Sequence, residues 1–179
     1  MKYVALLRGI NVGGNNAVGM SALKVAFEKI GHTQVRTYIN SGNVVFTSDE
    51  KDIHILTDTL ESILTQTFNY KARVLIKSYE QMKQVVGDVP KDWNTENDIR
   101  CYVSFMMEPL KAEDAAKEVE LREGIDFLKV GPGVLYMTTR MSGLTKSFFT
   151  KLIGKKIYQD MTMRNYTTTK KILALMNQE

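Results

Sequence analysis

Strand-like and helix-like periodicities follow one another in the same order twice along these 179 residues, which restricts the chain to folds built from two similarly patterned halves. In the first half, Tyr3 to Leu7 is apolar at consecutive positions and reads as a strand buried on both faces, hence central in its sheet. A loop rich in glycine and asparagine, 9–19, leads into a helix with Leu23, Phe27 and Ile30 on one face, closed by Gly31. Val35 to Ile39 and Val44 to Thr47 flank Asn40-Ser41-Gly42-Asn43 and form a hairpin. A second helix from Asp52 to Phe68 places Ile53, Leu56, Leu60, Ile63, Leu64 and Phe68 together, and Ala72 to Lys77 alternates as an edge strand does.

This order, β-α-β-β-α-β, is that of a split ferredoxin-like subdomain. Ser78 and Gln81 have the spacing of a capping box for a short helix carrying Met82, and 88–98, with Pro90 and Trp93, reads as a connector. The second half opens with the alternating run Ile99 to Met106, followed by a helix around Ala112 to Glu120. A second hairpin joins Ile125 to Val130 with Val134 to Thr139 through Gly131-Pro132-Gly133. Beyond Arg140 the repeat blurs into a short helix, Thr145 to Ile153, and a terminal one, Thr167 to Met176, with no clear fourth strand. The expectation is an α+β protein of two tandem ferredoxin-like subdomains with a helical C-terminus: subdomain 1–87, connector 88–98, and subdomain 99–179 with a basic helical tail.

With 44% hydrophobic and 25% charged residues the chain can bury a core. No apolar run is long enough for a secretory signal or a membrane span. Cys101 stands alone, which excludes an internal disulfide framework and fits a reducing compartment, so a cytoplasmic location is expected. The formal charge of +4 is unevenly spread: residues 140–179 hold eight Lys/Arg against two Asp/Glu, and the rest of the chain is slightly acidic.

Leu6-Leu7-Arg8-Gly9-Ile10-Asn11-Val12-Gly13-Gly14 resembles the opening of the bacterial domain-of-unknown-function 1697 family. The likeness continues through Met20, Leu23, Gly31 and Thr37-Tyr38-Ile39-Asn40-Ser41-Gly42-Asn43-Val44-Val45-Phe46, and resurfaces at Thr162-Met163-Arg164-Asn165-Tyr166-Thr167-Thr168. It implies two ferredoxin-like subdomains and brings no established activity. The family usually carries Gln where Asn40 stands, Trp where Tyr166 stands and Asn where Thr167 stands, with lysine in the loop where this chain has Ala17-Val18-Gly19.

Gly9-x-x-x-x-Gly14, between a strand and a helix, has the outline of a phosphate loop, but Asn15 and Asn16 replace the Lys and Ser/Thr that such a loop needs. Arg8, Asn11, Gly13 and Gly14 are read as an anion pocket against the plainer reading of a tight turn with Arg8 in an internal ion pair. Ser41 and Asn43 offer a hydroxyl and an amide to a ligand, or simply build a hairpin turn. Arg164 and Asn165 lead into the terminal helix, as ligand groups or as a capping motif.

Lys146, Lys151, Lys155, Lys156, Tyr158, Lys170 and Lys171 form a basic, aromatic-interleaved set of the kind that grips nucleic acid, although the RRM aromatic motif is missing. Neither His32, a surface or boundary histidine, nor His54 has a metal partner at ligand spacing, so neither a metal nor a cofactor is expected. The acidic residues Glu113, Asp114, Glu118, Glu120 and Glu123 read as a solvated face. The leading expectation is a binding protein for a phosphorylated or anionic ligand, nucleic acid included. The alternatives are a small-molecule transferase or hydrolase with a cleft between the halves, and a protein-interaction module without ligand. Oligomeric state is left open.

Overall fold

The computed structural model describes residues 1–11 and 17–178. Contacts divide the chain into two compact units, one of Met1–Lys83 with Lys171–Glu179, the other of Gln84–Lys170. This division differs from the expected one at both ends. The supposed connector contains a 3-10 helix, Lys91–Asn94, whose Trp93 is buried, and the last nine residues group with the first unit.

The first unit runs β1 (Lys2–Leu7), α1 (Met20–Lys29), β2 (Thr33–Tyr38), β3 (Asn43–Thr47), α2 (Ile53–Phe68) and β4 (Val74–Ser78), then enters α3 (Tyr79–Gly87). Its antiparallel sheet has the order β2-β3-β1-β4. The consecutive apolar side chains of β1 are buried on both faces, as a central strand requires: Ala5 pairs with Val44 on one side and Ile76 on the other. Tyr3, Ala5 and Leu7 join Leu23 and Phe27 of α1 and Leu56, Leu60 and Leu64 of α2 in one core. Asp52 caps α2, accepting from the backbone N–H of His54 at 2.8 Å. Ser78 and Gln81 form the capping box of α3, each side chain accepting from the other's backbone N–H. His32 is buried, a correction to its reading as a surface or boundary residue, because its ring lies 4.6 Å from that of Phe46 and 6.0 Å from that of Phe27.

The second unit contains β5 (Ile99–Met106), α4 (Ala112–Glu118), β6 (Asp126–Gly131), β7 (Val134–Arg140), α5 (Phe149–Leu152) and β8 (Met161–Asn165), and α6 (Tyr166–Met176) begins in it. The antiparallel sheet order β6-β7-β5-β8 repeats that of the first unit. The fourth strand that the sequence conceals is β8, which pairs with β5 from Tyr102↔Asn165 to Met106↔Met161. Where the first unit has the sixteen-residue α2, this one has a 3-10 helix, Met141–Lys146, the four-residue α5 and another 3-10 turn, Lys156–Asp160. Met106, Leu135, Met137 and Met161 pack with Ala112 and Ala115 of α4 and Leu152 of α5. Val103, Phe105, Val134 and Tyr136, on the opposite face, are also buried.

The chain is thus a mixed α/β protein with two four-stranded antiparallel sheets. No helix among the described residues is long and apolar enough to cross a membrane.

Candidate functional site

The glycine-rich rim of the first unit is held by amide side chains. Asn11, at φ 53, donates from Nδ2 to the carbonyls of Val18 and Asn40 at 2.9 Å each, while its Oδ1 accepts from the N–H of Val18 at 2.8 Å. This staples the end of the β1–α1 loop to the β2–β3 turn. Asn43 is wholly buried and donates to Tyr38 O and Ser41 Oγ, both at 3.0 Å, so its amide builds the turn. Arg8 is half-buried at the end of β1, where its N–H donates to Arg73 O at 2.9 Å. Gly13 and Gly14 lie outside the described residues.

In the second unit Arg164 belongs to β8 rather than to a helix lead, and its guanidinium is buried. Its Nη1 donates to Thr162 Oγ1 and Met163 O at 2.9 Å each, and desolvation lowers its pKa to about 10. The next residue is placed differently: Asn165 ends β8 exposed, at the mouth of a recess of about 540 Å³. The recess forms where the start of β5, the end of β8 and the first turns of α6 meet, and Asn165, Thr167, Thr168 and Lys170 share it with Arg100 and Glu96.

Arg100 and Lys170 are exposed, and among the described residues neither forms an ion pair. The Lys170 ammonium lies 4.6 Å from the Tyr166 ring centroid. The first turn of α6 carries no acidic residue to offset its positive end, unlike that of α3, which carries Glu80. The back wall is packed and hydrogen-bonded: Trp93 packs on Tyr166 at 4.9 Å and donates from Nε1 to Thr138 Oγ1 at 2.6 Å, while Tyr166 donates to Asn94 Oδ1 at 3.3 Å. Cys101 lines the same recess, but burial and Asp92 push its thiol up to about 11, so it stays protonated at neutral pH and is no nucleophile there.

The basic set is split by its partners. Lys151 pairs with Glu120 at 2.9 Å and lies 3.6 Å from the Phe148 ring centroid. Lys155 pairs with Glu120 at 3.3 Å and donates to Glu118 O at 2.6 Å. These glutamates, expected to be solvated, therefore neutralise two of the lysines expected to grip phosphates. Tyr158 packs against the core of the unit, Lys146 and Lys156 are exposed, and Lys171 groups with the first unit. Among the described residues, no group of three His, Cys, Asp or Glu is placed to hold a metal ion.

Sequence reasoning named Asn165 and Lys170 and quoted Thr167 and Thr168 only as part of the family-like motif, and it missed Arg100 and Glu96. Arg100 reads there as the outward member of an alternating strand, and only pairing with β8 shows that it stands beside the Asn165-Tyr166-Thr167-Thr168 motif.

A family profile described as "Protein of unknown function (DUF1697)" matches residues 1–136. Among solved structures, that of a conserved bacterial protein of Streptococcus pneumoniae is similar, with 27% sequence identity, a TM-score of 0.85 and 98% of each chain covered. No curated protein matches the chain.

Proposed function

The chain belongs to the DUF1697 family, whose description assigns no activity, and on that premise we propose that it binds a phosphorylated or otherwise anionic ligand in the recess between β5, β8 and α6. One observation carries the reading: Arg100 and Lys170, two cations without an ion pair among the described residues, line the same recess as the amide of Asn165 and the hydroxyls of Thr167 and Thr168. Cations not drawn into ion pairs in a partly enclosed recess are ready to form charge-assisted hydrogen bonds to an incoming anion, even with Glu96 on the same wall. The start of α6, free of acidic side chains, adds its partial positive charge to theirs. Arg8 stays in the reading as a second anion candidate on the first unit, whereas Asn43 and Arg164 are left out because they are buried.

The buried sheet faces favour a small ligand over nucleic acid. A ferredoxin-like RNA platform stacks bases on exposed aromatics, and here Phe105 and Tyr136 are buried. The strand order β2-β3-β1-β4 in a β-α-β-β-α-β chain supports reading the first unit as a ferredoxin-like subdomain. The second is read the same way, with short helical turns in place of its second helix. The unpaired Cys101 supports a cytoplasmic location.

The test is calorimetric titration of inorganic phosphate, a nucleotide panel and single-stranded oligonucleotides at several salt concentrations, with Arg100→Ala and Lys170→Ala alongside the unaltered protein. Saturable binding weakened roughly tenfold by either substitution is expected. Absence of binding at low salt, or binding indifferent to both substitutions, overturns the proposal.

A further inference from the structure

The edges of the two sheets are not equally protected. Strand β2 breaks its register between Thr33 and Arg36, with Gln34 at φ 51, and an irregular edge of that kind resists strand addition. In β8, Met161, Thr162 and Arg164 are buried. In β4, Val74 and Ile76 are buried and the remaining residues half-buried. Strand β6 differs from all three. It pairs with β7 in unbroken register from Asp126↔Thr139 to Gly131↔Val134, it is the outer strand of its sheet, and it exposes Phe127 at 45% and Val130 at 40%.

The strand and its flanking residues carry a basic excess of their own. The exposed charges of 121–140 are Arg122, Lys129 and Arg140 against Glu123, because Asp126 is buried and accepts hydrogen bonds from within its own unit. The Arg140 guanidinium lies 5.5 Å from the Phe127 ring centroid. Lys129, whose ammonium donates to Asp88 O at 2.7 Å, lies 5.7 Å from the Tyr136 ring. Among the described residues none of the three cations forms an ion pair. A second copy of the chain docked edge to edge would set like charges against one another, which opposes pairing.

We propose that β6 is a docking edge for an extended segment of a partner protein in which apolar and acidic residues alternate. The segment adds as a fifth strand through main-chain hydrogen bonds to the outer side of β6. On one face its apolar side chains cover Leu128 and Val130, and on the other its carboxylates reach Lys129 and Arg140, which flank Phe127. The site is separate from the recess at the start of α6 and does not depend on it.

The test uses three octapeptides with blocked ends and the whole chain: one alternating valine and glutamate, the same peptide with alternate amides N-methylated, and one alternating valine and lysine. Fluorescence anisotropy at low salt measures binding, and amide hydrogen exchange locates it. The acidic peptide is expected to bind and to slow exchange in 126–131, while the methylated and basic peptides bind at least about tenfold more weakly. Lys129→Glu combined with Arg140→Glu, both exposed positions, is expected to weaken the acidic peptide and strengthen the basic one. Equal binding of the methylated peptide, protection elsewhere than 126–131, or no binding overturns the proposal. So does concentration-dependent self-association that protects 126–131, since it would make a second copy the occupant.

Discussion

Ser147 donates from Oγ to Oδ1 of Asp126 at 2.6 Å, fastening the start of α5 to strand β6. The same carboxylate accepts from Thr139 Oγ1 at 3.1 Å and from the N–H groups of Phe148 at 2.8 Å and Arg122 at 3.1 Å. One buried side chain therefore ties together four places in the second unit. Replacing Asp126 by Ala leaves these donors without their acceptor and is expected to cost about 2–4 kcal/mol, against about 1–2 kcal/mol for Ser147→Ala. Urea denaturation of both variants checks the order. Equal, small losses would mean that water replaces the carboxylate at no cost.

Gly42 and Gly124 separate two reasons for needing glycine. Both have positive φ, 70° and 73°, but a Cβ on Gly42 would lie 2.7 Å from Ile10 Cδ1 and 2.8 Å from Leu7 Cβ, whereas one on Gly124 meets nothing within 4 Å. Gly124→Ala is expected to cost about 1 kcal/mol, the conformational penalty alone, and Gly42→Ala about 2–3 kcal/mol, because the rim must also open around the methyl group. Thermal melts of the two variants at one pH measure the difference.

Burial among Phe27 and Phe46 lowers the pKa of His32 below 6.5, and its Nε2 has no hydrogen-bond partner among the described residues. The unfolded chain then takes up a proton near 6.5 that the folded chain refuses. Stability is full above that pH, falls as the pH drops through about 6.5, and levels off below the folded-state value. His32→Phe keeps a ring in place and should flatten this part of the curve. Melting temperatures measured across the range for both proteins decide the matter, and parallel curves would show that His32 contributes nothing to it.

Thr138 accepts the indole N–H of Trp93, the single tryptophan of the chain, in a buried site. Thr138→Val leaves that N–H without its partner and is expected to destabilise the second unit by about 1–3 kcal/mol. Trp93 fluorescence during denaturation provides the readout, with an earlier transition than in the unaltered protein.

Much of the first unit is legible in the sequence because each element announces itself by one period. The consecutive apolar residues of β1 mark a central strand, and Leu56, Leu60 and Leu64 mark the buried face of α2. Strand β8 escapes the same reading because Met161, Thr162 and Arg164, on opposite faces, are all buried, so no alternation of apolar and polar survives. Its approach through three short helical turns removes the other cue, a long helix in the place α2 takes in the first unit. The recess is half legible for a related reason. Asn165, Thr167 and Thr168 stand together in the chain, but Arg100 reaches them only through β5–β8 pairing, and pairing partners leave no local trace.

Lys2 Nζ and Arg36 Nη1 donate to Gln178 O and Oε1 at 2.8 and 2.9 Å, and Tyr79 Oη donates to Asn177 Oδ1 at 3.1 Å. Strands and helices laid down first therefore wait for the final nine residues, and 84–170 is an insertion within a unit begun much earlier. A truncation after Lys170 would strip partners from the strands and helix made first, and during synthesis those partners arrive only after 84–170 has been made.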